Sequence, residues 1–256
     1  MASTQAAQTL TEQHRRAQLQ LRARALRDFA QLWPIWEGDE DTFLAFAIAA
    51  VTLVRAYRGL SADLAAAYYR TFRAAEGARG EAAIRRAAPI VEERLIAELA
   101  VEAQDVLQDA LSRGLGPERA KERVFVASSG TISDRVQEGG RETILRTVED
   151  DESALGWARV TDASPCAFCA MLAARGPIYK KKATASFTPH HHCGCTVEPV
   201  FFRDAAWPGR AREFRAMYAA AIREAQEAGE LRRGTSNDLL NAFRRYYERT
   251  VPSGGQ

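Results

Sequence analysis

The sequence predicts a mainly α-helical protein with a multi-helix N-terminal region, a small β-knuckle module and two C-terminal helices. Apolar residues recur at helical spacing over the first 150 positions and again after position 202. Short alternating segments lie only between these regions, and all four cysteines fall there as well, between positions 166 and 195. We therefore expect a helical domain at 1–150, an α+β module at 151–202 and a helical segment at 203–256.

The first three expected helices occupy the region up to the glycine-containing segment at 74–80. A first helix should end at Pro34, since the residue before a proline avoids the α region. A second should run from about residue 39 to Tyr57, and a third should begin at Ser61, after Gly59 breaks the pattern. The first helix is defined by one stripe at intervals of three and four residues: Leu19, Ala23, Leu26, Ala30 and Trp33.

Two long helices should follow in the N-terminal region. One is expected over 81–112, where Pro89 would kink or split it. The other should start at Pro117, which suits the first turn of a helix, and continue to about Val148. The small residues at 128–130 could interrupt this second helix.

Composition changes after position 150. The alternating residues at 157–161 favour a short strand, and those at 196–202 favour a second one, with Pro199 at an edge or a strand end. Two amphipathic helices are expected after Pro208, the last of them capped by Ser236.

Composition and charge exclude several classes of protein. Hydrophobic residues make up 46% of the chain and charged residues 27%, which is typical of a globular protein and unlike a disordered one. A net charge of +2 lacks the strong basic bias of dedicated nucleic-acid binders. The longest nearly apolar run, 43–54, is too short to cross a bilayer core of roughly 30 Å, and the first ten residues do not resemble a signal peptide. We expect a soluble protein with no membrane partner.

The clustered cysteines and histidines indicate a structural zinc site. Cys166 and Cys169 form a C-x-x-C turn, the usual first half of a tetrahedral zinc site. His190, Cys193 and Cys195 compete for the remaining two positions. The preferred set is Cys166, Cys169, His190 and Cys195, with Cys193 as the substitute for either of the last two. Disulfides or unrelated buried thiols are the alternative, but they would give the histidines no role and a reducing cytosol disfavours disulfides.

Catalytic interpretations of the same residues are weaker. A zinc deaminase needs an upstream H-x-E, and a zincin needs H-E-x-x-H; the sequence contains neither. A zinc-knuckle nuclease that uses His191 or His192 as its base stays open as an alternative. Asp162 is expected to cap the turn before the first cysteine pair. Lys180, Lys181 and Lys182 could contact phosphates, although a solvated loop is the commoner role of such a run.

The module resembles the F-like (phage Mu F-type) minor head proteins of tailed phages, in the variant common in actinobacterial phages. The resemblance covers about 45 residues, from 157 to 201, and the stretch at 60–69 is also similar. In that family a histidine three residues before the C-x-C corresponds to His190, the actinophage-like form has another at His192, and His191 matches neither. The matching segments are Trp157–Val160, Cys166–Gly176, Tyr179, His190 with His192–Cys195, and Glu198–Phe201.

The resemblance implies a minor capsid or head-morphogenesis protein rather than an enzyme. It implies action near the portal inside the head, with the portal or the major capsid protein as partner. The protein would then be located in the virion, and in the host cytoplasm during assembly. The alternatives are a zinc-knuckle nuclease and a DNA-binding protein that makes weak, non-specific contact with phage DNA.

Overall fold

The computed structural model describes residues 4–179, 187, 192–231 and 236–251. Over these residues the protein is mainly α-helical, which confirms the predicted fold class. A short 3-10 helix, Trp33–Ile35, follows the first helix and contains the proline expected to end it. The helices are α1 (Gln5–Leu32), α2 (Glu40–Ala75), α3 (Glu92–Ser112), α4 (Pro117–Asp150), α5 (Ala167–Ala173), α6 (Ala211–Glu227) and α7 (Ser236–Thr250), and the strands are β1 (Gly156–Val160), β2 (Ile178–Tyr179) and β3 (Thr196–Val200).

The predicted break between a second and a third helix is wrong, because α2 runs without interruption through Gly59 and Ser61. Ser61 does not cap a helix. Its hydroxyl donates to the side chain of Gln18 on α1 at 2.8 Å and accepts the backbone N–H of Gly140 on α4 at 3.0 Å. Contacts between helices therefore determine the role of Ser61. Gly59 does not end the helix, because a glycine inside a helix lowers stability by only about 1 kcal/mol.

The helix expected over 81–112 is shorter than predicted, because residues 81–91 form no regular secondary structure and α3 begins only at Glu92. Side-chain hydroxyls of α4 accept hydrogen bonds from the backbone of this segment. The N–H of Arg85 donates to the hydroxyl of Thr147, and that of Ala87 to the hydroxyl of Thr143, both at 2.9 Å. Residues before Pro89 thus obtain hydrogen bonds without the α conformation that the proline disfavours.

Helix α4 is continuous across 128–130, so the predicted interruption is also absent. Small residues on α4 let it approach α2 closely. A Cβ at Gly140 would lie 2.6 Å from the side-chain nitrogen of Gln18 and 2.8 Å from the hydroxyl of Ser61. Arg58 of α2 extends across this interface, where it pairs with Glu138 at 2.8 Å and also with Glu142.

Helix α2 is long and apolar enough to span a membrane by length and composition alone. In the fold it packs against α1, α3 and α4, and Phe46, Ala50 and Val54 on its inner face are buried. Its apolar residues thus help to form the core of the helical bundle.

The three strands form one antiparallel sheet in the order β2-β1-β3. Trp157 of β1 pairs with Pro199 of β3, so the proline lies on an edge strand, as predicted. Strand β2 was not predicted from the sequence, and it adds only the backbone of two residues, which pair with Gly156 and Trp157.

Beside the core of the helical bundle, the sheet shares a core with the N-terminal helices, and α5, α6 and α7 form a second, separate core. The shared core joins α2, α4 and the sheet through Tyr69, Phe72, Ile144, Val148, Trp157, Val197 and Phe201. The second core is built around Phe214, Phe243 and Tyr247. The cysteines lie between these two cores: Phe187 packs against both the shared core and the cysteine cluster, and Phe168 packs against both the second core and that cluster.

Candidate metal centre

Three cysteine side chains converge in the interior of the protein. The sulfur atoms of Cys169, Cys193 and Cys195 all lie within 4.8 Å of one another. Their residues are only 1%, 2% and 1% exposed. Helix α5 carries Cys169, while Cys193 and Cys195 precede and adjoin β3, so the fold brings together the two cysteine pairs that are distant in the sequence.

The spacing of these sulfurs fits a metal site and does not fit a disulfide. The sulfurs of Cys169 and Cys193 are 3.6 Å apart. A disulfide would require about 2.05 Å. Two thiolates on a tetrahedral zinc, each about 2.3 Å from the metal, would be about 3.8 Å apart. The residues therefore fit a tetrahedral metal ion with thiolate ligands.

The fourth cysteine, Cys166, lies next to this triad at the start of α5. It is the N-cap residue of that helix, and its sulfur accepts the backbone N–H of Cys169 at 3.4 Å. Cys166 is exposed, unlike the other three. The preceding carbonyl, that of Pro165, accepts a hydrogen bond of 2.8 Å from the hydroxyl of Tyr247, which fixes the turn to α7.

The second cysteine pair is held in a tight turn against Asp162. His192 has a φ of 61°, in the left-handed region, where the chain turns into Cys193. A Cβ at Gly194 would lie 2.6 Å from a carboxylate oxygen of Asp162, so only glycine permits this close approach. Burial raises the pKa of Asp162, whose carboxylate accepts the backbone N–H groups of Ser164 and Gly194. This arrangement agrees with the expected capping role of Asp162 and also links the two cysteine turns.

The buried sulfurs form a proton-sharing network. The pKa of Cys193 is far below its ordinary value, because Cys169 and then Cys195 hydrogen-bond to its sulfur and the Arg141 guanidinium lies close. The pKa of Cys169 is raised, first by its hydrogen bond with Cys166 and then by that with Cys193. One sulfur is thus favoured as the thiolate, which is the form that binds a metal.

Two buried arginines border the cluster, and sequence reasoning gave neither of them a role. Arg141 of α4 and Arg159 of β1 are each 4% exposed. A guanidinium nitrogen of Arg159 lies 4.0 Å from the sulfur of Cys169, and Arg141 donates to the carbonyl of Cys195 at 2.9 Å. The one available signal was an arginine within the alternating residues of β1, where an inward-facing charge needs a partner.

Several residues of the predicted site lie outside the described part of the chain. These are His190, the histidine of the preferred ligand set, together with Lys180, Lys181 and Lys182. The structure brings Cys193, the predicted substitute ligand, into the buried triad beside Cys169 and Cys195. His192 is exposed, and its carbonyl accepts a hydrogen bond of 3.1 Å from Arg22 of α1.

Comparison with known proteins assigns the chain to a phage protein family. The profile of the VG15 protein family matches residues 5–221, which includes the helical domain, the sheet and all four cysteines. The chain belongs to the VG15 family. The Gene 15 protein of Mycobacterium phage D29 is 30% identical over 175 residues, which cover 53% of this chain and 62% of that protein. No solved structure matches the chain.

Proposed function

We propose that this VG15 family protein is a minor capsid or head-morphogenesis protein that acts inside the phage head near the portal. It has a structural role and contacts the portal or the major capsid protein. The observation that carries the proposal is the family match over residues 5–221, together with a relative encoded by a mycobacteriophage. The resemblance of the cysteine module to F-like minor head proteins supports the finer assignment.

Zinc is the metal that we propose for the cysteine cluster. Soft thiolate donors at tetrahedral spacing favour zinc over hard cations such as magnesium or calcium. Cys169, Cys193 and Cys195 would hold it, with Cys166 or His190 as a further ligand. Zinc supplies folding free energy there, because the segment around the cysteines joins two hydrophobic cores through only a few apolar side chains.

The proposal is tested by locating the protein in purified virions and empty heads. Quantitative mass spectrometry should find it at a fixed ratio to the portal, and cross-linking should join it to the portal or the major capsid protein. A phage carrying Cys169→Ser should produce the protein but incorporate less of it into heads than a phage carrying Arg146→Gln, an exposed change. Absence of the protein from both heads and virions would refute the proposed role.

The nuclease and DNA-binding alternatives are tested with the purified protein. Purified protein should leave plasmid DNA intact with and without added divalent metal. Metal-dependent cleavage that is lost in His192→Ala would replace the structural role by the nuclease alternative. DNA binding that weakens steeply with salt and is lost when Lys180, Lys181 and Lys182 are changed to alanine would favour the DNA-binding alternative.

A further inference from the structure

We propose that Arg141 and Arg159 are positioning residues that make the metal centre a four-thiolate site, formed by Cys166, Cys169, Cys193 and Cys195. On this proposal His190 is not a ligand, and Arg141 ties the metal centre to the helical domain. The inference rests on the proposed zinc site and assigns its fourth ligand and its charge compensation.

Formal charge is the first argument. Zinc with four thiolates carries a net charge of −2, whereas three thiolates and a neutral histidine would give −1. Burying an uncompensated charge is costly, and the two guanidinium groups beside the sulfurs reduce the cost of burying the additional thiolate. Both arginines are buried to the same extent, at 4% exposure.

The hydrogen bonds of Arg141 support this assignment. Its side chain donates to the carbonyl of Cys195 at 2.9 Å, to the side-chain oxygen of Gln137 at 2.7 Å, and to the carbonyl of Cys193. All of these acceptors are neutral. One guanidinium nitrogen, Nη1, is buried and has no hydrogen-bond acceptor among the described residues. The nearby groups that can carry negative charge are the sulfurs of Cys193 and Cys195 and the carboxylate of Asp134. A metal-bound thiolate cluster would therefore supply, together with Asp134, counter-charge to the buried cation.

The position of Arg141 on α4 also supports its role at the metal centre. Arg141 holds the two carbonyls that flank Gly194, and it extends from α4, which is packed in the helical bundle. The direction of both thiols is therefore set from the helical domain. Phe187 lies over both guanidinium groups, with its ring centre 3.8 Å from Arg159 and 5.2 Å from Arg141, which keeps water from the charges.

X-ray absorption at the zinc edge and zinc affinity by chelator competition test the inference. The wild-type full chain should show four sulfur neighbours and no nitrogen neighbour. Arg141→Gln, which removes the charge at similar size, should weaken zinc binding by about 10–100-fold. Arg141→Lys should recover part of that loss, while the matched exposed change on the same helix, Arg146→Gln, and His190→Ala should leave the affinity unchanged.

Three sulfurs and one nitrogen in the wild type, or zinc loss in His190→Ala, would overturn the four-thiolate assignment while leaving the structural zinc in place. An affinity of Arg141→Gln within twofold of wild type would overturn the role of the arginine. If Arg141→Gln fails to fold, Arg159→Gln and the sulfur count of the wild type carry the test. A wild-type protein without zinc would instead refute the proposed metal role itself, and this inference with it.

Discussion

Because Cys166 is the N-cap residue of α5, the variant Cys166→Ser separates the contribution of the metal to stability from the contribution of the helix cap. Cys166→Ser exchanges the sulfur that accepts the N–H of Cys169 for a hydroxyl, and serine is among the best N-cap residues. The start of α5 should therefore be preserved in the absence of metal. Because Cys166 is exposed, the change also leaves no cavity in the core. We expect the metal-free variant to be as stable as the metal-free wild type, or more stable by a few tenths of a kcal/mol.

The metal-loaded proteins should differ strongly. At free zinc 1,000 times its Kd, binding stabilises the native state by about 4 kcal/mol. For a chain of this size each kcal/mol shifts Tm by about 2–4 °C, so zinc should raise the wild-type Tm by roughly 8–16 °C. If losing one thiolate weakens binding 1,000-fold, the same zinc concentration stabilises the variant by only about 0.4 kcal/mol.

Thermal melts of both proteins, each with buffered zinc and with a chelator, measure these four stabilities. Zinc should raise the Tm of the wild type strongly and that of Cys166→Ser hardly at all. A variant that keeps the full zinc shift would show that Cys166 is not a ligand, and the fourth donor would then have to come from elsewhere, such as His190. A variant that is less stable than the wild type even with chelator would contradict the capping argument.

Four further outcomes follow from the fold. Chelation should remove hydrogen-exchange protection in α5, α6 and α7 but preserve it in α2, α4, β1 and β3, whose core does not include the cysteines; loss of protection everywhere would contradict this. Gly59→Ala should stabilise the fold by about 0.5–1 kcal/mol, because nothing lies near a Cβ at this position. Gly140→Ala should destabilise it by about 1–3 kcal/mol, because a Cβ there would meet Gln18 and Ser61. Urea denaturation should give changes of opposite sign in the free energy of unfolding of the two variants. Asp151→Ala should cost about 3–5 kcal/mol in the same assay, since it leaves the buried guanidinium of Arg73 without its carboxylate. Burial raises the pKa of Glu198 from 4.5 to about 7, so between these pH values the folded state holds a proton that the unfolded state has released. The free energy of unfolding of the wild type should therefore fall by about 3 kcal/mol relative to that of Glu198→Gln as the pH rises from 4.5 to 7. Parallel pH profiles of the two proteins would refute the pKa shift.

The sequence predicted those elements that local patterns determine. Apolar spacing located the long helices, and the pairing of C-x-x-C with C-x-C located the cysteine cluster. The prediction failed where a local signal was overridden by contacts between helices. Gly59 followed by Ser61 has the pattern of a helix end and a new cap, but Ser61 instead binds Gln18 and Gly140 inside one continuous helix.

The surroundings of the cysteines could not be predicted for a related reason. Arg141 precedes Cys193 and Cys195 by more than fifty positions, and its hydrogen bonds to their carbonyls depend on how α4 packs against the sheet. A single arginine on a helix carries no sequence signal for such a contact. The preferred ligand set placed Cys193 in reserve because spacing alone cannot rank donors within one tight turn, whereas burial and the 3.6 Å distance to the sulfur of Cys169 favour it.

The position of the cysteine cluster indicates what a metal would contribute to the proposed role in head assembly. Cys169 belongs to α5, which packs with α6 and α7, while Cys193 and Cys195 lie at β3 and are held by Arg141 of α4. A metal bound to both pairs therefore joins the C-terminal helices to the N-terminal bundle by coordinate bonds, which fix distance and direction more tightly than the few aromatic contacts there. Loss of the metal would free the C-terminal helices from the N-terminal bundle, which keeps its own core. A surface composed of both units would then lose its shape while the N-terminal bundle stays folded, so the head-incorporation defect expected for Cys169→Ser should occur in protein that retains most of its helical circular dichroism.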